Sequence, residues 1–172
     1  MAPENDDCPG APRPVTRREF IRIGSATTLA TGIAPALSSA ASKPDAYPVA
    51  DIAELASLKV DTPFAFTYPD ESSPALLVRL PQAAAGGVGP GNTIVAYSML
   101  CTHKGCPVSY KPERKLLICP CHWSSFDPAK AGQMVIGQGS QALPQIALRV
   151  QGNTVQAVGI AGLIYGRHAN IL

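Results

Sequence analysis

The constraint that dominates this chain lies between Cys101 and Asp127. Cys101-Thr102-His103-Lys104-Gly105-Cys106 is followed, after twelve residues, by Cys119-Pro120-Cys121-His122-Trp123-Ser124-Ser125-Phe126-Asp127. Four of the five cysteines and two of the three histidines fall within this stretch. Each loop offers one Cys and one His as metal ligands and keeps a second Cys to spare. In extended backbone, Cys101 and His103 point to the same side because they are two residues apart. Cys119 and His122 are three apart, a spacing that suits a tight loop folding over a metal. Gly105 lets the first loop take a positive φ, and Pro120 stiffens the second.

Two thiolates and two imidazoles can hold a tetrahedral zinc ion. They can equally hold a [2Fe–2S] cluster in which His replaces Cys on one iron. Both boxes, Cys-x-His-x-Gly-Cys and Cys-x-Cys-His-x-Ser, are complete here, and on them the chain resembles the Rieske family. The resemblance implies one [2Fe–2S] cluster, with Cys101 and Cys119 on one iron and His103 and His122 on the other. It also implies a disulfide between Cys106 and Cys121, and an all-β fold: an antiparallel sandwich or barrel with the cluster loops at one tip.

The length of 172 residues suits a leader and one domain. A net charge of +2 gives no broad basic face for nucleic acid. Low charge and frequent Pro and Gly fit a loop-rich β protein. Residues 1–42 are expected to be a targeting segment, leaving 43–172 as the domain. Thr16-Arg17-Arg18-Glu19-Phe20-Ile21 resembles the twin-arginine signature, which implies export to the periplasm in the folded state. The uncharged run 23–42 is long enough to span a membrane, but only half of it is apolar. A removable leader, cut near Ala40–Ser42, touches the membrane only in transit. Cys8 leaves with it, and an oxidising compartment allows a disulfide to persist.

Along the domain, Asp51–Leu55 reads as a helical turn capped by Asp51. Strands are expected at 64–68, 75–80, 93–97, 115–118, 133–136, 146–150 and 154–160. Turns fall at 69–74, 110–114 and 151–153. The Gly-rich run 83–91 has no Lys-Ser or Lys-Thr after it and reads as a plain connector. By resemblance, the loop Gly137–Pro144 forms a third wall over the cluster.

With two neutral imidazoles the cluster is less negative than one with four thiolates, so an added electron costs less in a partly dry site. The resemblance places its potential in a window of roughly −150 to +300 mV, with proton uptake coupled to reduction at alkaline pH. Quinol-oxidising Rieske proteins carry Ser and Tyr two and four residues after the second-box His, both donating to sulfur. Here Ser124 matches, whereas Phe126 stands in place of the Tyr. A potential below that of quinol-oxidising relatives follows.

The runs Cys101–Tyr110, Phe126–Met134 and Gly162–Arg167 resemble those of arsenite oxidase small subunits. That implies a molybdopterin-containing large subunit as partner. It also implies a periplasmic c-type cytochrome or azurin-like copper protein as acceptor. The Rieske subunit of a bc-type quinol oxidoreductase is the competing reading. Among the remaining residues, Trp123 is expected to shield the cluster by packing. Lys104 and His168 are expected in solvent, and Met99 in the core.

Overall fold

The computed structural model describes residues 47–171, so the twin-arginine pair, Cys8 and the expected cleavage site lie outside the described residues. The chain is all-β. Its strands are β1 (Ala50–Glu54), β2 (Phe64–Thr67), β3 (Pro74–Arg79), β4 (Ile94–Ser98), β5 (Ser109–Lys111), β6 (Leu116–Ile118), β7 (Ser125–Asp127), β8 (Gln133–Ile136), β9 (Gln145–Gln151) and β10 (Thr154–Ala161). They form two antiparallel sheets. A six-stranded sheet has the order β1-β10-β9-β4-β3-β2, and a four-stranded sheet has the order β5-β6-β7-β8. No helix among the described residues is long and apolar enough to cross a membrane.

The sequence of β3 and β4 explains how the sheets meet. Both strands are apolar at almost every position rather than at alternate ones, the pattern of a strand covered on both faces. Ala75, Leu77, Ile94 and Ala96 point into one core, shared with Ile146, Leu148, Val155 and Ala157. Leu76, Val78, Val95 and Tyr97 point the other way, into a second core with Val108, Leu117, Phe126, Cys101 and Cys119. The large sheet is thus a platform, and the small sheet lies against its second face with the Cys/His loops at its end.

Polar ties lock the two sheets together. The buried Tyr97 hydroxyl donates to the Pro128 carbonyl at 2.8 Å and accepts from Gln145 Nε2 at 3.2 Å. Asp61, in the loop before β2, accepts from the Tyr110 hydroxyl of β5 at 2.6 Å and pairs with Lys115 in the turn between β5 and β6.

The expected strands are present, and the domain's first element differs. Asp51–Leu55 is not a capped helical turn: Ala50–Glu54 pairs with β10, and only Leu55–Ser57 forms a 3-10 turn. Asp51 accepts from Gln156 Nε2 across the strands at 2.6 Å instead of capping. The free edge of β10 overrides a weak local preference. Strands β5 and β7 were not expected: each is only three residues long, β5 takes Tyr110 and Lys111 from the turn expected at 110–114, and β7 follows the second box directly.

Candidate metal centre

The two Cys/His loops share one backbone frame. In the first, the Cys101 N–H donates to the Cys106 carbonyl at 2.9 Å and Gly105 N–H to the Cys101 carbonyl at 2.8 Å. In the second, Cys119 N–H donates to the Ser124 carbonyl at 2.9 Å and Trp123 N–H to the Cys119 carbonyl at 3.0 Å. Each loop turns on a positive φ four residues after its first Cys, 71° at Gly105 and 61° at Trp123. Gly105 is needed twice over. A Cβ there would also lie 2.8 Å from Cδ1 of Tyr165.

This frame brings the expected ligands together. Cys101 and Cys119 are buried at the floor, each a free thiol. His103 is half-buried and His122 exposed, and their rings meet edge to face with centroids 4.7 Å apart. Cys106 and Cys121 form a disulfide linking the loops, with sulfurs 2.16 Å apart. The Cys106, Cys119 and Cys121 sulfurs lie within 4.8 Å of one another, but the disulfide occupies two of them and leaves Cys119 as the ligand-competent atom.

A third loop closes the site, as the resemblance implied. Gly137 passes Ser124 so closely that a Cβ would sit 2.4 Å from the Ser124 Cα. The next residue, Gln138, donates its N–H to Ser124 Oγ at 3.0 Å. On the other side, Thr102 Oγ1 donates to the Gln141 carbonyl at 2.8 Å and Ser140 Oγ to the Thr102 carbonyl at 2.9 Å. Sequence reasoning passed over Thr102. Its place between two candidate ligands, Cys101 and His103, was the signal available in the sequence.

Burial pushes the Cys101 thiol upward, and the adjacent Cys119 adds to the shift. Hydrogen bonds from the His103 backbone and from Ser124 act in the opposite direction. Ser124 is fully buried with its hydroxyl at the cysteine floor, and Phe126 is buried in the same core without a polar atom. Trp123 corrects the sequence reading. It is 68% exposed, too open to shield the cysteine floor by packing, and its backbone takes a positive φ. Lys104 and His168 are in solvent and Met99 packs against the core.

Residues 46–147 match the Rieske [2Fe-2S] domain. The chain belongs to the Rieske family. An iodate reductase subunit IdrB from Denitromonas iodatirespirans is 38% identical over 160 residues, covering 91% of this chain and 86% of its own. The Rieske iron–sulfur subunit of the cytochrome bc1 complex from Streptomyces lividans is 47% identical, but over 58 residues, 33% of this chain and 34% of its own. The soluble domain of Rieske protein II from Sulfolobus acidocaldarius superposes with a TM-score of 0.60 at 23% identity, over 72% of this chain and 85% of that one, and supports the fold alone.

The cofactor of this Rieske protein is a [2Fe–2S] cluster. The donor set fits it. Two buried thiols have no disulfide partner, and burial makes that of Cys101 costly to ionise without a cation. The two imidazoles come from the same two loops and lie beside one another, the neighbouring pair that histidine ligation of one iron needs.

Proposed function

We propose that this chain is the electron-transfer subunit of a periplasmic oxyanion oxidoreductase, and specifically the small subunit of an arsenite oxidase. Likeness to an iodate reductase subunit over nine-tenths of the chain carries the broader reading, since it extends far beyond the metal boxes. The runs Cys101–Tyr110, Phe126–Met134 and Gly162–Arg167 favour arsenite as the substrate of the assembly. Iodate reduction is the second reading, favoured by that same relative. A quinol-oxidising role is weaker. Its match is confined to a third of the chain, and Phe126 occupies the position of the sulfur-bonding Tyr.

In this reading, Cys101 and Cys119 hold one iron from the buried floor and His103 and His122 hold the other from the rim. The bound cluster supplies one-electron transfer at a potential raised by histidine ligation. The chain's own residues do the rest. The apolar core around Phe126 and Leu117 keeps water off the thiolates. Ser124 donates toward Cys101, while Gln138 and Thr102 fix the loops. The imidazoles, His122 exposed and His103 half-buried, lie nearest the surface and offer the shortest way out for charge. Arsenite chemistry belongs to the molybdopterin-containing large subunit. A c-type cytochrome or azurin-like copper protein takes the electrons. The twin-arginine leader delivers the folded chain to the periplasm.

The test uses the chain purified with its native partner subunit, followed by visible and EPR spectroscopy. Arsenite added to the oxidised complex should bleach the cluster band and raise the EPR signal of the reduced state. Re-oxidation of a dithionite-reduced complex by iodate, with no response to arsenite, would move the assignment to iodate reduction. Reduction by a quinol alone would sink both.

A further inference from the structure

The metal loops are walled by the third loop on one side, and on another by the C-terminal strap 162–171. Tyr165 of the strap packs edge-on against Gly105. Cδ1 and Cε1 would stand 2.8 and 2.9 Å from a Cβ at that position, leaving room for glycine only. Gly105 lies two residues after His103, and its N–H closes the turn onto the Cys101 carbonyl. The ring therefore bears on the peptide that sets where Cys101 and His103 sit relative to one another.

The strap is tied down by a dense set of polar contacts. Arg167 makes a two-pronged pair with Asp70, Nη1 to Oδ2 at 2.6 Å and Nη2 to Oδ1 at 2.8 Å. Nη2 also donates to Ser72 Oγ at 2.7 Å, and Nη1 to the Asn170 carbonyl at 3.1 Å. The buried Asn170 accepts from Ile164 N–H at 2.9 Å and donates to the Gly162 carbonyl at 2.7 Å and the Tyr47 hydroxyl at 2.9 Å. Ile164, next to Tyr165, is buried. Such a two-point clamp fixes orientation as well as distance.

We propose that the strap is a positioning device for the first metal loop: the Arg167–Asp70 clamp presses the Tyr165 ring on Gly105 and so holds Cys101 and His103 in register. Tyr165 and Arg167 are positioning residues and touch no reacting atom. The inference rests on reading Cys101 and His103 as ligands. Removing the ring frees the loop to open and lets water reach the buried Cys101. Water favours the more negatively charged reduced state, so the potential shifts upward.

The full chain with its partner subunit is compared as wild type, Tyr165→Ala, Tyr165→Phe and Arg167→Lys. Readouts are iron release to a chelator, midpoint potential by EPR-monitored titration, and far-UV circular dichroism. Tyr165→Ala should lose iron about tenfold faster than wild type, with a raised potential and an unchanged β spectrum. Tyr165→Phe should match wild type, because ring carbons make the contact. Arg167→Lys keeps the charge but loses the fork, and should fall between them without touching the ring. Equal iron release and equal potentials in wild type, Tyr165→Ala and Arg167→Lys overturn the proposal, as does Tyr165→Phe behaving like Tyr165→Ala. Wild-type protein lacking iron and acid-labile sulfide would instead overturn the metal-site reading beneath it.

Discussion

Asp61 offers the sharpest check on how the platform holds the metal-bearing sheet. It has a φ of 58°, a region that Asn tolerates as well as Asp, so Asp61→Asn preserves the backbone and removes only the charge. Two interactions weaken together. The hydrogen bond from the buried Tyr110 hydroxyl, 2.6 Å long, passes from charge-assisted to neutral, a loss of about 1–1.5 kcal/mol. The half-exposed Lys115 loses its partner, which is worth roughly 0.5 kcal/mol after solvent screening. The sum is about 2 kcal/mol, or roughly 8 °C in Tm for a domain of this size. Asp61→Ala should cost about 1 kcal/mol more, because the Tyr110 hydroxyl is then buried without a partner. The pH dependence has a definite sign. Hydrogen bonds from Lys115 and then Tyr110 hold the Asp61 carboxyl below its ordinary value. Its contribution is therefore complete above the usual carboxylate range and is lost as pH falls through the folded value. Thermal melts followed by far-UV circular dichroism should separate wild type from Asp61→Asn at pH 7 and converge below about pH 4. Melting points within a degree of each other at pH 7, or a gap that persists unchanged at pH 3, would refute the assignment.

The other predictions concern the site. Phe126→Tyr restores a hydroxyl donor at the position where quinol-oxidising Rieske proteins carry Tyr, and should raise the midpoint potential by about 60 mV in an EPR titration. Ser124→Ala removes the donor directed at Cys101 and should lower the potential by a similar amount, about 60 mV. Cys106→Ser opens a loop of sequence separation 15, and should destabilise the apo-protein by about 3 kcal/mol in urea while speeding iron release.

The metal boxes were legible because their chemistry is local: ligand type and spacing sit within a few residues, and the frame needs only Gly105 and a short loop. The strands were legible where apolar runs lay between Gly, Pro and Asp turns, as at 75–80 and 93–97. Asp51 was misread because its partner Gln156 is 105 residues away, and no local signal announces the open edge of β10. Trp123 was misread for a different reason. Its hydrophobicity argues for packing, whereas its direction depends on a φ that the sequence does not print for a non-glycine residue. Asp61 and Tyr165 escaped notice because each acts through a contact with a distant stretch, Tyr110 in one case and Gly105 in the other.

The shared frame of the two metal loops accounts for their unequal spacing. Each first Cys donates to the carbonyl five residues on and accepts from the N–H four residues on, so Cys101 and Cys119 occupy equivalent places at the floor. The histidines do not: His103 is two residues after its Cys and His122 is three. Were both at the same position, two similar loops would present their rings alike. The one-residue offset brings them in from different directions, and they meet at 80° rather than stacked. The same frame demands a positive φ at position four, which costs a non-glycine residue about 1–2 kcal/mol. Gly105 meets that demand freely and is then required again by Tyr165. Trp123 bears the cost with little burial to offset it, since its side chain is 68% exposed. The strain is therefore held by the backbone bonds of the loop and by the Cys106–Cys121 bridge, which together keep His122 at the rim.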